Sequence, residues 1–302
     1  MAKTDLGLLV AISAGGSDSE LAEHGIGMEH VEELMVRLSM RLLSEGHRLA
    51  FGGTMGVADK DLTRYLIDTA HRWGDEDSAH KVDITKPITW PLVNYSAWPN
   101  YKNITEEQKA KLVGICYFVD IRPPSCSESE LNSVHQPGRA KRLEADALSA
   151  MRAHSAEQVD LRIVWAGKIA GSSGWMAGIL EEVVFSLEQK KPVLVLGGFG
   201  GCSRLIADFL MEKDADWPER LSLKACASPE RDVTLTVEER DQLQHRMAHA
   251  KEMLTRFRSA IHSKKSVNGI SSHLIQEALH EESARVAINL VAMAAQEMLR
   301  KV

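Results

Sequence analysis

The sequence predicts an α/β fold whose mostly parallel sheet has helices on both faces, followed by a C-terminal helical extension. Apolar runs of strand length alternate with amphipathic segments over the first 235 residues, a pattern typical of parallel sheets covered by helices. From Thr236 onward apolar residues recur at helical spacing, and Thr236 with Glu239 reads as a capping box. We therefore predict an α/β domain over residues 1–235 and a helical extension over residues 236–302.

Six apolar runs are predicted as strands, and amphipathic segments between them as helices. The predicted strands are residues 6–13, 47–51, 88–93, 113–121, 160–167 and 192–197. The predicted helices are residues 28–44, 57–72, a short one capped by Thr105, 139–154 and 176–189. Pro91 argues against a central position for the third strand, because proline cannot donate a hydrogen bond to a neighbouring strand.

Charge and cysteine content exclude several classes of protein. The 302 residues carry a formal net charge of −6, whereas domains that bind nucleic acid polymers usually present a basic face. The four cysteines form no CxxC pair, so neither a zinc site nor a disulfide framework is indicated. His245 and His249 have metal-ligand spacing but no HExxH motif, and we predict neither a metal nor a cofactor. No run reaches membrane-spanning length, so we expect a cytoplasmic protein without a membrane partner.

Four glycine-bearing loops each follow a predicted strand and precede a predicted helix. In a parallel sheet such loops meet at one edge, where doubly wound folds bind their ligands. Helix N-termini there favour a phosphate or another anion. The candidate ligand-binding residues are Ala14, Gly15, Gly16, Ser17, Gly52, Gly53, Thr54, Gly56, Lys168, Gly178, Gly197, Gly198, Phe199, Gly200 and Gly201. No Walker A or GxGxxG sequence is present.

Several of these assignments have a structural alternative that the sequence leaves open. The stretch "VLVLGGFGGCSRLIADFL", residues 193–210, has four glycines in five positions, which suits a close-lying ligand or equally a tightly packed turn. Arg152 is either a phosphate clamp or a solvated residue on a helix face. Lys168 is a possible phosphate ligand. Trp98 and Tyr101 either stack on a purine or pack in the core.

Adjacent glutamates near the start of a predicted helix, Glu181 and Glu182, offer a further polar group. Neighbouring helical residues point about 100° apart, so at most one of them is expected to face the glycine loop. The other is expected to face solvent or a basic residue. A carboxylate at that loop can accept hydrogen bonds from ribose hydroxyls, or stabilise an oxocarbenium-like centre if a glycosidic bond breaks.

The segments "GGTMG", "LSAMRAH" before "DLRIVWAGKIAG", "GILEEVVFSLEQKKPVLVLGGFGG" and "NGISSHLIQEALH" resemble the SLOG superfamily. That superfamily includes the Lonely Guy phosphoribohydrolases and nucleotide-sensing domains of bacterial defence systems. The resemblance covers about residues 6–210 and is strongest to the sensing branch, as in Thoeris effectors. It implies a modified Rossmann fold that binds an ADP-ribose-like ligand at the glycine-rich edge.

The sequence departs from the hydrolase motif PGGxGTxxE. The matching piece here is "GSSGWMAGILEE", where Glu182 matches the glutamate, Ile179 replaces the threonine and the PGG is missing. Arg152 matches an arginine of the sensing branch. The resemblance therefore implies a nucleotide-sensing module, with an N-glycosidic hydrolase of nucleoside monophosphates as the alternative, in which Glu182 and Arg152 are catalytic. The sensing members also imply a homo-oligomer or an effector protein partner.

Overall fold

The computed structural model describes residues 7–53, 62–76, 85–212, 216–222, 235–263 and 265–300. Its centre is a six-stranded sheet in which every pairing is parallel, in the order β4-β3-β2-β1-β5-β6. The strands are β1 Leu9–Gly15, β2 Arg48–Gly52, β3 Leu92–Ala97, β4 Cys116–Ile121, β5 Leu161–Ala166 and β6 Val193–Leu196. The predicted α/β architecture is confirmed.

Helices surround this sheet and continue after it. The helices before β5 are α1 Asp18–Ala22, α2 Met28–Ser44, α3 Leu62–Glu76, α4 Glu106–Lys111, α5 Glu128–Asn132 and α6 Pro137–Gln158. Those after β5 are α7 Gly178–Glu188, α8 Gly201–Met211, α9 Val237–His262, α10 Ser272–His280 and α11 Ala284–Leu299. Helix α2 spans the predicted residues, and Gly46, with φ of 82°, follows its end as an αL residue.

The strand order reverses direction between β1 and β5. From β1 the chain builds outward on one side through β2, β3 and β4, then returns to place β5 and β6 on the other side. The register puts Ala11 beside Arg162 and Gly15 beside Ala166. The loops after β1 and β5 therefore diverge at the carboxyl edge, where doubly wound sheets leave a crevice.

The prediction that Pro91 keeps the third strand out of the centre of the sheet is wrong. Strand β3 lies between β2 and β4, but it begins at Leu92, one residue after the proline. Pro91 uses only its carbonyl, which accepts the backbone N–H of Leu49 at 2.8 Å. Proline is tolerated just before a strand because no N–H is required from it there.

Alternation along the strands separates two apolar layers. Val10 and Ile12 of β1 belong to the larger core, on the face covered by α2, whereas Ala11 belongs to a second core with Ala147 of α6. Side chains that alternate in this way place helices on both faces of the sheet.

The C-terminal helices pack on the α/β unit. Helix α9 contacts α7 and α8, α10 contacts β6 and α8, and α11 contacts α2. Leu254, Leu279 and Leu290, one from each helix, belong to the same core as Val10. The capping box of Thr236 and Glu239 is present. Within the described ranges, no helix combines the length and the apolar character that crossing a membrane requires.

Candidate ligand-binding site

A cleft of about 360 Å³ opens at the carboxyl edge of the sheet, a volume in the usual range for small-molecule sites. Its walls come from the loops after β1, β2 and β5, together with α6 and α7. It therefore lies over the point where the strand order reverses, which is the ligand position in doubly wound sheets.

Nine of the candidate residues line this cleft. They are Ala14, Gly15, Gly16, Gly52, Gly53, Arg152, Lys168, Gly178 and Glu182. Lys168 is exposed. Ser17 is not among the lining residues; its hydroxyl accepts the backbone N–H of Glu20 at 3.4 Å and so caps α1. Thr54 and Gly56 lie outside the described residues.

The loop that contains Gly197, Gly198, Phe199, Gly200 and Gly201 does not line the cleft. A Cβ at Gly197 would overlap the backbone carbonyl of Leu279, and one at Gly198 would overlap that of Glu281. Gly201 lies in the same way against the backbone of Gly167. Because they have no side chains, these glycines allow α10, the chain that follows it and the loop after β5 to pack closely against residues 197–201. This is the packing alternative that the sequence left open.

Arg152 and Glu181 form a buried ion pair behind the cleft. Nη1 of Arg152 lies 2.5 Å from Oε2 of Glu181, and the Ser149 hydroxyl donates to Oε1 of Glu181, also at 2.5 Å. Arg246 of α9 approaches the same Oε1 at 3.5 Å. Glu181 is fully buried and Arg152 is 8% exposed, so the interpretation of Arg152 as a solvated residue is wrong. Glu181 faces basic residues, one of the two expected environments.

Glu182 is the glutamate that faces the cleft, and it lies between two guanidinium groups. Its Oε1 is 3.9 Å from Nε of Arg152, and its Oε2 is 3.5 Å from Nη1 of Arg162. Among the described residues, neither Oε2 of Glu182 nor Nε of Arg152 has a hydrogen-bond partner, although both atoms are buried. Buried polar atoms are rarely left in this state, so these two atoms retain unused hydrogen-bonding capacity just behind the wall of the cleft.

Arg162, the second residue of β5, belongs to this cluster, and the sequence analysis did not identify it. It is 2% exposed and donates to the hydroxyls of Ser186 and Ser13 at 2.7 Å and of Ser155 at 3.0 Å. Burial lowers the pKa of Arg162, and the nearby Glu182 carboxylate opposes that effect. The available signal was one arginine inside the apolar run "LRIVWA", because arginine is almost never fully buried without partners.

Glycines make room for the Arg152 guanidinium. A Cβ at Gly178 would lie 2.8 Å from Nη2 of Arg152, and one at Gly174 would lie 2.5 Å from Nη1. Both distances are too short for ordinary contact, so any side chain at either position would displace the guanidinium. Gly174 and Gly178 of the segment "GSSGWMAG" thus leave room for a charged side chain at the cleft.

Glu20 of α1 holds the loop that carries Lys168. Its Oε1 accepts the backbone N–H groups of Ile169 at 3.1 Å and Ala170 at 3.3 Å. Two consecutive amides donating to one carboxylate fix the course of the loop after β5. Sequence spacing gave no sign of this contact, because 149 residues separate Glu20 from Ile169.

Trp98, Tyr101 and His249 are not among the residues that line the cleft. Trp98 and Tyr101 are 6% and 9% exposed and belong to the core beneath α6, which is the packing alternative. His249 lies 2.5 Å from Oε1 of Glu188. Within the described ranges, no group of three histidine, cysteine or acidic side chains is placed to hold a metal ion.

Comparison with known proteins identifies the family. The family model for SLOG cluster2 matches residues 5–277, which include the whole sheet and every described residue that lines the cleft. No curated protein matches the chain. Because the match extends over most of its length, the chain belongs to the SLOG cluster2 family.

Proposed function

We propose that the chain binds a nucleotide-derived ligand of the ADP-ribose type in this cleft, as a sensing module of the SLOG superfamily. The observation that carries the proposal is the juxtaposition of Arg152 and Glu182 at the wall of a cleft where the strand order reverses. A guanidinium suits a phosphate, and a carboxylate suits the two hydroxyls of a ribose.

Charged side chains of both signs lie at the cleft and behind it. The cluster behind the cleft contains three guanidinium groups, from Arg152, Arg162 and Arg246, and two carboxylates, from Glu181 and Glu182. At the wall of the cleft Lys168 adds a cation and Glu144 an anion. The positive excess in this count is the charge of Arg246, whose side chain is 41% exposed and does not line the cleft; the other cations and carboxylates balance. The concave setting strengthens the field of the charges that do line it.

The remaining wall of the cleft supports a ligand with a planar apolar part. Its apolar residues include Met35, Phe51, Leu62, Leu66, Leu148 and Met151, and polar residues such as Thr63, Ser96 and Asn100 line it as well. Small-molecule sites typically combine such an apolar lining with a few placed polar groups. A nucleoside provides both a base for the apolar wall and a ribose for the carboxylate.

Ile179 favours sensing over hydrolysis. It lines the cleft and packs against Gly167, at the position where the hydrolase motif has a threonine. The isoleucine offers no hydroxyl to a phosphate. The alternative function, hydrolysis of a nucleoside monophosphate at its N-glycosidic bond, would use Glu182 to stabilise the charge that develops on the ribose.

Calorimetry and chromatography on the wild type and Glu182→Gln distinguish the two functions. The probes are ADP-ribose, AMP and N6-substituted AMP. For a sensor we expect intact ligand and an affinity reduced about 10- to 150-fold by the substitution, the typical value of a charge-assisted hydrogen bond. Glu188→Gln is the matched control, because Glu188 lies on the same helix but does not line this cleft.

Two outcomes would contradict this assignment. Release of base by the wild type that is lost in Glu182→Gln at unchanged affinity would establish the hydrolase instead. If none of the three probes binds, the proposal that the cleft binds a ligand of the ADP-ribose type is wrong.

A sensing module also requires an output, and we propose that it passes through self-assembly or an effector protein. Val286 and Met293, seven residues apart on α11, are 39% and 51% exposed, so this helix keeps apolar side chains at the surface. Sedimentation with and without ADP-ribose tests the first route. If the measured mass is that of a monomer both with and without ADP-ribose, self-assembly is excluded and the effector protein remains as the proposed output.

A further inference from the structure

The buried arginine of β5 has a role that stability alone does not explain. We propose that Arg162 is a positioning residue that orients the carboxylate of Glu182 toward the ligand. This inference rests on the proposed function, because its first test measures the affinity for ADP-ribose. The observation behind it is a buried guanidinium whose Nη1 lies 3.5 Å from the carboxylate of Glu182, a residue that lines the cleft.

Three neutral hydroxyl groups hold the guanidinium of Arg162. Its Nε, Nη1 and Nη2 each donate to a different serine, from α7, β1 and α6 respectively. Three hydroxyls from three elements fix both the position and the plane of the guanidinium. They do not neutralise its charge, and a buried charge without a hydrogen-bonded counterion destabilises the fold relative to an apolar side chain of similar size.

The charge of Arg162 acts on Glu182. Oε2 of Glu182 lies 3.5 Å from Nη1 of Arg162, yet it has no hydrogen bond among the described residues. The guanidinium therefore attracts this oxygen without occupying its lone pairs. Because Oε2 is drawn inward, Oε1 is the oxygen left on the side of Arg152, where a ligand in the cleft can reach it.

The surrounding charges make this orientation specific. Arg152 of α6 draws Oε1 from the other side, and Glu181 fixes Arg152. Lys168 and Glu144 are the other charged groups at the cleft wall. Behind Arg162, burial raises the pKa of Tyr95 to about 12, so this side chain stays neutral. Glu182 is thus held between two fixed cations.

A double-mutant cycle on ADP-ribose affinity tests the proposal. We expect Arg162→Met to weaken binding about 10-fold in the wild-type background and less than about 2-fold in the Glu182→Gln background, because the arginine acts through the glutamate. Arg162→Lys, which keeps a cation, should recover part of the loss. An equal loss of affinity in both backgrounds would overturn the proposal, since a purely structural role would weaken binding in both.

A milder pair of variants keeps the test valid if Arg162→Met does not fold. Ser155→Ala removes one of the three hydroxyls that fix Arg162 and leaves the charge in place. Ser39→Ala is the matched control, a buried serine of α2 whose hydroxyl donates to the Met35 carbonyl. We expect ADP-ribose to bind about 2- to 5-fold more weakly to Ser155→Ala and unchanged to Ser39→Ala. Equal affinities for the two variants would contradict the positioning role.

Failure of this proposal can be distinguished from failure of the proposed function by thermal denaturation without ligand. The proteins are the wild type, Arg162→Met, Glu182→Gln and the double variant. If the wild type binds none of the probes, the proposed function fails, but the coupling between Arg162 and Glu182 remains measurable without ligand. We then expect the change in midpoint caused by Arg162→Met to be less favourable in the wild-type background, where the Glu182 carboxylate loses a neighbouring cation, than in the Glu182→Gln background. Equal changes in the two backgrounds would show that the two side chains are not coupled.

Discussion

The guanidinium of Arg152 lies 2.5 Å from the carboxylate of Glu181, which is fully buried. On its other oxygen the same carboxylate meets Arg246, a residue whose side chain is 41% exposed, at 3.5 Å. One buried anion thus connects the cleft to a helix of the C-terminal extension. The two arginines differ in burial and distance, so their contributions to stability should differ.

We expect Arg152→Ala to lower the free energy of unfolding by about 3 kcal/mol, because removing one partner of a buried pair leaves an uncompensated charge. Arg246→Ala should lower it by less than about 1 kcal/mol, because its side chain is partly screened by solvent. Urea denaturation of both variants measures the difference. Equal losses would mean that Glu181 relies on both arginines to the same degree.

Gly15→Val should remove ligand binding without unfolding the protein. Gly15 ends β1 at the cleft, and a Cβ there would meet no protein atom within 4 Å. A valine side chain would therefore occupy the space proposed for the ligand without overlapping any protein atom. We expect ADP-ribose to raise the thermal midpoint of the wild type by mass action, and to raise that of Gly15→Val much less.

Gly138→Val is the control for Gly15→Val. Gly138 also has no protein atom near its Cβ position, but it lies in the first turn of α6, away from the cleft lining. Its response to ADP-ribose should match that of the wild type. An undiminished ligand shift in Gly15→Val would mean that the ligand does not lie against the end of β1.

Gly198→Val should affect stability. A Cβ there would overlap the carbonyl of Glu281, which follows α10, and overpacking of this kind costs about 1–3 kcal/mol or more. We expect a lower denaturation midpoint in urea for Gly198→Val than for Gly138→Val. A midpoint equal to that of the wild type would imply that the chain after α10 moves away freely.

Stability should fall in mild acid because of His47. Its ring is 3% exposed, and Nδ1 accepts the backbone N–H of Leu8 at 3.1 Å. Burial lowers the pKa of His47 below its ordinary value of 6.5, although Glu45 partly opposes this. His47 therefore binds a proton near pH 6.5 in the unfolded chain but remains neutral at that pH in the folded protein. The free energy of unfolding decreases as the pH falls below that value.

His47→Asn should reduce this pH dependence. We expect the difference in unfolding free energy between about pH 7.5 and 5.5 to be smaller in the variant than in the wild type. His71→Asn, at an exposed position of α3, should retain the wild-type difference. If His47→Asn retains it as well, other groups cause the loss of stability in acid.

The sequence predicted the architecture better than it predicted the role of each glycine. Hydrophobic periodicity located five of the six strands and gave the bounds of α2, because burial on one face dictates that pattern. It placed the third strand at residues 88–93, whereas β3 is Leu92–Ala97. Gly15 and Gly198 look alike in the sequence, since both follow a strand and both lack a Cβ. Only the fold distinguishes them: one faces open space and the other faces the chain after α10. Arg162 was missed because its three serine partners come from three different elements, and the partner in β1 is 149 positions away.

The order of the strands also bears on when the cleft forms during folding. Each of β2, β3 and β4 pairs with the strand before it in the chain, whereas β1 meets β5 across a gap of 151 residues between Leu9 and Asp160. Contacts between such distant segments form slowly, because closing a long loop is entropically costly. In pulse-labelling hydrogen exchange, the amide of Arg48, bonded to Leu8, should therefore become protected before that of Gly167, bonded to Gly15. A chain still emerging from the ribosome would then have four of the six strands of its sheet before it can recognise any ligand.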